Sequence, residues 1–191
     1  MKSLKHAFLI LLALTILTGL LYPAAITLIA ALCFPNQSQG SLVVDKGHIT
    51  GSRLIGQNFT SRKYFWPRPS ATTYSAMPSG GTNLIPGSIA LRAAIDARRD
   101  TFRLSNGLGA NDTVPNDMLF TSGSGLDPDI SPEAARQQIN RIARERGFTN
   151  DQKKALADLV EHSIIPQQLG FLGSARVNVL QLNQGLDGLK Q

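Results

Sequence analysis

A long apolar stretch near the N-terminus constrains this chain more than any other feature. From Ala7 to Pro35 the sequence carries no charged side chain, and leucine, isoleucine and alanine dominate it (AFLILLALTILTGLLYPAAITLIAALCFP). A bilayer core of about 30 Å is crossed by roughly 20 apolar helical residues. A helix is required there because lipid offers backbone N–H and C=O groups no partner. We therefore predict one transmembrane helix over residues 7–33.

A cleaved signal peptide is the main alternative to a permanent anchor. Lys2, Lys5 and His6 resemble a short basic leader. The apolar part of a signal peptide runs over only about 7–15 residues, however, so an uncleaved anchor is favoured. Pro23 removes one helical hydrogen bond inside the stretch, which predicts a kink near Thr18–Gly19. The helix is then either an ordinary anchor or one that docks against other membrane helices.

Basic residues predict the orientation of the anchor. Lys2 and Lys5 precede the helix, whereas residues 33–44 contain no lysine or arginine. Basic residues are retained on the cytoplasmic side of a membrane. We therefore predict a cytoplasmic N-terminus at residues 1–6 and an extracytoplasmic, periplasmic domain at residues 34–191, attached to the cell (inner) membrane in a single pass.

Charge and cysteine content limit what the domain can do. The net charge is +6, from 19 Lys and Arg against 13 Asp and Glu, and the basic residues are scattered among acidic ones. Nucleic-acid binding favours a denser basic patch with stacking aromatic residues, so we expect no nucleic-acid partner. The single cysteine, Cys33, excludes an intrachain disulfide, and the domain must be held by packing alone.

Turn and capping signals predict an α+β (or α/β) domain with its helices concentrated in the second half. Short β pieces are expected at residues 41–44, 48–49 and 52–55, and a brief strand at 118–121. Serine, threonine, proline and glycine signals set the helix ends. The predicted helices run from Ser88 to Asn106-Gly107 with Ile89, Ala93, Ile95 and Phe102 buried, from Ser131 to Gly147, from the capping box of Thr149 to before Pro166, and from Val177 to Leu189.

Motifs for catalysis are weak in this sequence. No Walker A pattern is present, and Gly80-Gly81 neither follows a strong strand nor opens a helix, which favours a loop over a phosphate cradle. Asp127 and Asp129 lack the glycine and terminal glutamate of a calcium loop, so we expect no metal site and no intrinsic cofactor. A membrane-tethered periplasmic hydrolase using His48 or His162 is the alternative function, although no Gly-x-Ser-x-Gly elbow frames a serine nucleophile.

Two loop motifs are candidates for contact with a partner. Trp66 lies in a stiff WPRP run with Arg68 beside it, which suits either the core or an aromatic anchor for another chain. Ser124 and Gly125 lie in a run of small residues that lets backbone amides approach a ligand or a partner. The residues from Asp127 to Ser131 also suit a turn and a helix cap.

The order of several motifs resembles the KdpC family, the small accessory subunits of bacterial Kdp potassium-transporting ATPases. The resemblance spans nearly the whole chain and rests on several long motifs in the family's order. These are TGLLYP at residues 18–23, GSRLIGQNF at 51–59, YFWPRPSAT at 64–72, SGGTNL at 79–84, SGSGLDPDISP at 122–132, VNVL at 177–180 and LN at 182–183.

The resemblance implies a non-catalytic subunit of an ATP-driven, high-affinity potassium importer. In that family a channel-like subunit carries the ion and a P-type ATPase subunit hydrolyses ATP. The small subunit is described as a catalytic chaperone that stabilises the complex and raises the ATP affinity of the ATPase subunit. The candidate residues for a direct contact with ATP, shared with the ATPase subunit, are Gln57, Ser79, Gly80 and Gly81. The residues predicted to contact a partner are Gly19, Pro23, Trp66, Arg68, Ser124, Gly125 and Asp127.

The orientation and the expected nucleotide effect are in tension. ATP is cytoplasmic, whereas the charge rule places the domain outside. A domain there can change nucleotide affinity only by biasing the conformations of its membrane partners. Direct contact with ATP would need the opposite topology, and we favour the indirect route.

Overall fold

The N-terminal helix is not α-helical throughout. The computed structural model describes residues 2–45 and 47–189, and its first elements are α1 (Lys2–Ile16), a π-helical turn (Leu17–Leu21) and α2 (Tyr22–Cys33). The helical stretch is long and apolar enough to cross a membrane, by length and composition. Pro23 has no N–H to donate, and the backbone hydrogen bonds in the turn before it follow a π-helical pattern in place of the α-helical one. The kink predicted near Thr18–Gly19 falls within this π turn.

Backbone contacts divide the chain into two units, Met1–Ser52 and Arg53–Gln191. After the long helix the first unit contains a short helix, α3 (Pro35–Ser38), and two strands, β1 (Leu42–Asp45) and β2 (His48–Ser52). The strands pair antiparallel with a bulge between Val43 and Val44. The third β piece predicted here, at residues 52–55, is wrong, because residues 53–55 form a turn.

Helices dominate the second unit. They are α4 (Ile89–Asn106), α5 (Asn116–Leu119), α6 (Pro132–Arg146), α7 (Asn150–His162) and α8 (Val179–Gly188), with short strands β3 (Asp129–Ile130), β4 (Ile164–Ile165) and β5 (Arg176–Asn178). The strands form a three-stranded sheet in the order β3-β5-β4, and both pairings are antiparallel. The α+β class is therefore confirmed, and the parallel α/β alternative is not adopted.

The predicted ends of α4 and α6 and the predicted start of α7 are confirmed by capping hydrogen bonds. The last helix, α8, begins at Val179, two residues later than predicted, because Val177 and Asn178 belong to β5. The Ser88 and Ser131 hydroxyls accept hydrogen bonds from the backbone N–H groups of the third helical residues of α4 and α6. Thr149 and Gln152 form the reciprocal capping box of α7. Gly107 and Gly147 end α4 and α6 in the left-handed region, at φ of 69° and 66°, where glycine carries no Cβ penalty.

The core lies where α6, α7, α8 and β5 meet. Its fully buried members include Ile142, Leu156, Val177, Leu182 and Leu186. Full burial of such a side chain stabilises the fold by about 1.5–3 kcal/mol. These buried side chains therefore hold the domain together.

Two further predictions about local structure are wrong. The strand expected at residues 118–121 does not form, because residues 118 and 119 belong to the helical turn α5 and residues 120 and 121 are irregular. The Asp117 carboxylate in α5 accepts hydrogen bonds from Ser131 N at 2.7 Å and Ser131 Oγ at 3.0 Å. The expected buried face of α4 is also wrong in its first turns, since Ile89 is 89% exposed, Ala93 is exposed and Ile95 is only half-buried. Phe102 in the last turns of α4 is the buried contact.

Candidate functional site

The segment of residues 62–66, here called the aromatic segment, is held in place by side chains of α6 and α8. The Arg141 guanidinium donates to the carbonyl oxygens of Arg62 and Tyr64 and to the side chains of Asn106 and Gln138. Arg141 is fully buried. Burial, with repulsion from Arg62, lowers the pKa of Arg141 to about 10, so the guanidinium stays charged at neutral pH.

Two side-chain amides complete the support of the aromatic segment. Asn183 accepts from Phe65 N at 2.8 Å and donates to Phe65 O at 3.1 Å. Gln138 does the same for Trp66, at 2.7 and 3.2 Å. Backbone N–H and C=O groups that are buried without partners destabilise a fold. The two amides supply those partners, as a neighbouring β-strand would. The aromatic segment is thereby fixed without regular secondary structure.

The run after Trp66 is joined to the glycine loop, residues 122–127, by an ion pair. Arg68 Nη1 lies 2.6 Å from Asp127 Oδ2, and both side chains are partly buried. Asp127 Oδ1 also accepts from Asp129 N at 3.0 Å. The Tyr74 hydroxyl donates to the carbonyl oxygen of Arg68. Burial, and next the negative charge of Asp127, raise the pKa of Tyr74 and keep the phenol neutral.

Gly125 lies where the glycine loop meets residues 70–80. Its carbonyl oxygen accepts from Ser70 Oγ at 2.7 Å, and the Ser124 carbonyl accepts from Gly80 N at 2.9 Å. Gly125 has φ of +71°, and a Cβ there would lie 2.7 Å from Thr72 Oγ1 and 2.9 Å from Gly80 O. Only glycine fits both the backbone conformation and the space.

A second glycine allows the other edge of this loop to pack. Gly56 N donates to Leu126 O at 2.8 Å. A Cβ at Gly56 would lie 2.6 Å from Asp127 O and 2.7 Å from Tyr74 Cε1. Residues around 56, 70–80 and 122–127, which are far apart in sequence, therefore form one packed cluster of loops.

A polar cleft of about 460 Å³ opens beside the Arg68–Asp127 pair. Its charged groups are largely paired with each other, since Arg176 Nε lies 3.0 Å from Asp129 Oδ2. Burial is the main cause that raises the pKa of Asp129. Among residues 2–45 and 47–189 there is no group of three or more His, Cys, Asp or Glu residues placed to hold a metal ion.

The structure brings most of the predicted site residues into the loop cluster and leaves two in the other unit. Gly80 and Gly81 lie against the glycine loop, and the Gly80 amide is already bonded to Ser124 O. Gln57 follows the buried Gly56 and is half-buried, whereas Ser79 is exposed. Of the residues predicted to contact a partner, Trp66, Arg68, Ser124, Gly125 and Asp127 lie in the second unit. The other two, Gly19 in the π turn and Pro23 at the start of α2, lie in the first unit.

Sequence reasoning missed the residues that hold the aromatic segment. Gln138 and Arg141 share a helix face with the buried Ala134 and Ile142. Polar residues that interrupt an apolar stripe at helical spacing are a signal of buried hydrogen bonding. That signal was available in the sequence, although the atoms that these side chains bind were not.

The two histidines considered for a hydrolase are in different units. His48 lies in β2 of the first unit and His162 at the end of α7 in the second. The Nδ1 atom of His162 is 2.7 Å from the carbonyl oxygen of Asp158 in the same helix. This is the contact of a side chain that closes a helix end.

These features define a class of protein with one apolar N-terminal helix and an α+β domain whose motifs pack into a loop cluster. Residues 4–188 match the model of the family described as KdpC: K+-transporting ATPase, c chain. The chain belongs to the KdpC family. The match includes both the apolar helix and the loop motifs.

Relatives with the same family name are similar over nearly their full length. The potassium-transporting ATPase KdpC subunit of Citrifermentans bemidjiense is 46% identical over 98% of this chain and 97% of its own. That of Geobacter sulfurreducens is 47% identical over 99% of both chains. That of Janthinobacterium sp. (strain Marseille) is 47% identical over 98% of this chain and 99% of its own.

Proposed function

We propose that this chain is a non-catalytic accessory subunit of a high-affinity, ATP-driven potassium import complex. It assembles with a channel-like subunit and a P-type ATPase subunit and stabilises their complex. The observation that carries this proposal is the family match over residues 4–188, which joins the apolar helix and the domain in one alignment. The relatives, which are potassium-transporting ATPase KdpC subunits, support the same role.

The proposed topology is a single pass with the domain outside the cytoplasm. Residues 1–6 are cytoplasmic, residues 7–33 span the inner membrane, and residues 34–191 lie in the periplasm. The proposal is supported by Lys2 and Lys5 before the helix. Protease added to intact spheroplasts is expected to digest the domain. If the domain is protected until the membrane is opened, the topology is inverted.

The proposed effect on ATP is indirect. The subunit raises the ATP affinity of the ATPase subunit by favouring one conformation of its membrane partners. A direct phosphate contact at Gln57, Ser79, Gly80 and Gly81 is the alternative. The Gly80 amide, which a phosphate cradle would need, is bonded to Ser124 O at 2.9 Å, and this supports the indirect route.

We infer that the exposed edge of the glycine loop is part of the docking face, together with Trp66, Arg68 and Asp127. The Arg68–Asp127 ion pair and the close packing around Gly125 give this edge a fixed shape. In the first unit, Gly19 and Pro23 are the proposed contact within the membrane. A fixed surface favours binding, because little conformational freedom is lost on association.

The test is a mild-detergent pull-down of the tagged chain from potassium-starved cells, with potassium-stimulated ATPase activity measured on the eluate. We expect two larger membrane subunits and that activity. Gly123→Arg adds a large charged side chain at an exposed position with no atom within 4 Å of its Cβ, so it is expected to block docking while the domain still folds. Asn140→Arg adds the same charge on the exposed side of α6 and is the matched control.

Three results would contradict the proposal at different points. Recovery of the chain alone, without potassium-stimulated activity, removes the role in the complex. If Gly123→Arg and the unchanged chain recover the partners equally, the proposed docking face is wrong, but the proposed role in the complex is not affected. Equal loss with Gly123→Arg and Asn140→Arg also removes the docking face, since a specific surface must distinguish the two positions.

A further inference from the structure

A cavity of about 470 Å³ lies between the run that begins at the aromatic segment and helix α4. Most of its wall is apolar and aromatic, formed by Phe59, Trp66, Pro67, Pro69, Phe102 and Met118. Pockets that bind small molecules in proteins are mostly apolar and measure about 300–1,000 Å³. The size and the lining of this cavity are therefore those of a small-molecule site.

The charged residues of the cavity are all of one sign. Arg68 and Arg98 line it, and no aspartate or glutamate does. Arg68 is neutralised by Asp127 at 2.6 Å. Arg98 donates one hydrogen bond, to Leu119 O at 2.8 Å, and within the described ranges its side chain pairs with no carboxylate. A guanidinium has five N–H donors, so Arg98 keeps both charge and donors for a ligand.

One wall of the cavity is held in an unfavourable backbone conformation. Thr73 and Tyr74 both have positive φ, at 54° and 62°, and Thr73 is β-branched. Such residues persist only where the surroundings impose them, and they cluster at binding sites. Here Tyr74 N donates to Ser70 Oγ at 3.0 Å and the Tyr74 hydroxyl donates to Arg68 O. The wall is fixed by these bonds before any ligand arrives.

We propose that this cavity binds a single-chain amphiphile with one anionic head group. The apolar chain lies against Trp66, Phe102 and Met118, and the head group accepts hydrogen bonds from Arg98. An apolar wall lowers the local dielectric, which strengthens the attraction between Arg98 and an anion. A neutral amphiphile gains the apolar contact alone. This proposal does not depend on the role in potassium import.

The only tryptophan of the chain, Trp66, provides a native reporter for the test. The full chain is placed in nanodiscs of zwitterionic phospholipid and titrated with a dibrominated fatty acid, because bromine quenches indole fluorescence on contact. We expect saturable quenching that unlabelled fatty acid of the same length reverses. The dibrominated fatty alcohol of the same length is expected to bind at least about tenfold more weakly, since it lacks the charge-assisted hydrogen bond.

Two variants separate binding in the cavity from partitioning into the bilayer. Arg98→Gln is expected to weaken the binding of the fatty acid at least about tenfold. Arg99→Gln is the matched control, because Arg99 does not line the cavity and pairs with Asp96 at 2.6 Å. Ala97→Phe fills the cavity from an exposed position on α4 and is expected to abolish quenching without lowering the melting temperature.

Several results would overturn the proposal. Quenching that does not saturate, or that persists in Ala97→Phe, comes from fatty acid dissolved in the bilayer. If the acid and the alcohol bind with equal affinity, or if Arg98→Gln and Arg99→Gln weaken binding of the acid equally, Arg98 does not bind the head group. Quenching by a brominated anionic phospholipid built into the nanodisc, but not by the free fatty acid, overturns the assignment to a single-chain ligand.

Discussion

The aromatic segment and the helix pair α6–α7 lie side by side but are ordered in different ways. The helices begin and end at residues that bind their own backbone, such as Ser131 and Thr149. Among the described residues, the aromatic segment has only two local backbone bonds, both to Ser61: Lys63 N donates to Ser61 Oγ at 3.4 Å and Tyr64 N donates to Ser61 O at 3.2 Å. Its peptide groups at Phe65 and Trp66 bind side chains that are 118 and 72 residues away in sequence. The peptide groups of Phe65 and Trp66, which lie outside regular secondary structure, are thus held by tertiary contacts.

This difference predicts where a single substitution does the most damage. A helix cap contributes about 1 kcal/mol, and losing it frays one end of one helix. A buried donor or acceptor left without a partner costs about 1–3 kcal/mol. One side chain of the aromatic segment's support binds several such groups at once. Substitutions in the side chains that support the aromatic segment are therefore expected to lower the free energy of unfolding more than the loss of a helix cap does. Substitutions in the loop cluster are expected to have an intermediate effect.

Arg141→Met is expected to have the largest effect. It leaves Arg62 O, Tyr64 O and Asn106 Oδ1 without their donor. The variant no longer buries a charge, and the desolvation cost that it avoids offsets part of the loss of these hydrogen bonds. We expect the free energy of unfolding to fall by about 3 kcal/mol. Urea unfolding followed by Trp66 fluorescence measures it, because Trp66 lies 4.2 Å from the Arg141 guanidinium.

The control for this change is Arg144→Met in the same helix. Arg144 is exposed, and its hydrogen bonds to Ser105 O and Glu145 Oε1 are both 3.4 Å long. Substitutions of this kind stay within about 0.5 kcal/mol. Equal losses in the two variants would mean that the hydrogen bonds of Arg141 do not fix the aromatic segment.

Gly125→Ala is expected to have an intermediate effect in the loop cluster. Alanine at φ of +71° is strained, and its Cβ would lie 2.9 Å from Gly80 O, which is backbone and cannot turn away. We expect a loss of about 1–3 kcal/mol in the free energy of unfolding. Gly123→Ala, where nothing lies within 4 Å of the added Cβ, is the matched control. If the two variants unfold at the same urea concentration, the loops are not tightly packed at Gly125.

The same difference explains what the sequence could predict. Both ends of α4 and α6 and the start of α7 were predictable because the residues that cap them lie within four positions of the groups they bind. The strand predicted at residues 118–121 was wrong, and Asp117 in the helical turn found there is bonded to Ser131, a contact across 14 positions. Local signals identify structure that local bonds determine.

Prediction of the candidate site was limited for the same reason. The motifs around Trp66, Gly80 and Gly125 were recognisable in the sequence, but the Ser70–Gly125 and Gly80–Ser124 bonds that join them were not. The exposure of Ile89 was also missed, because helical spacing alone does not show which face of α4 meets the core at each turn. Such contacts depend on the packing of the whole domain.

Thr149→Ala is expected to have the smallest effect on the free energy of unfolding, and it tests whether the cap of α7 and the aromatic segment are ordered independently. It removes the hydroxyl that accepts from Gln152 N at 3.3 Å, one half of the capping box of α7. The loss is about 1 kcal/mol and is confined to the first turn of that helix. The emission maximum of Trp66 in the folded chain is therefore expected to stay unchanged, whereas Arg141→Met shifts it by exposing the indole. A shift in Thr149→Ala as well would show that the cap of α7 and the aromatic segment are coupled, and the two regions would then not be ordered independently.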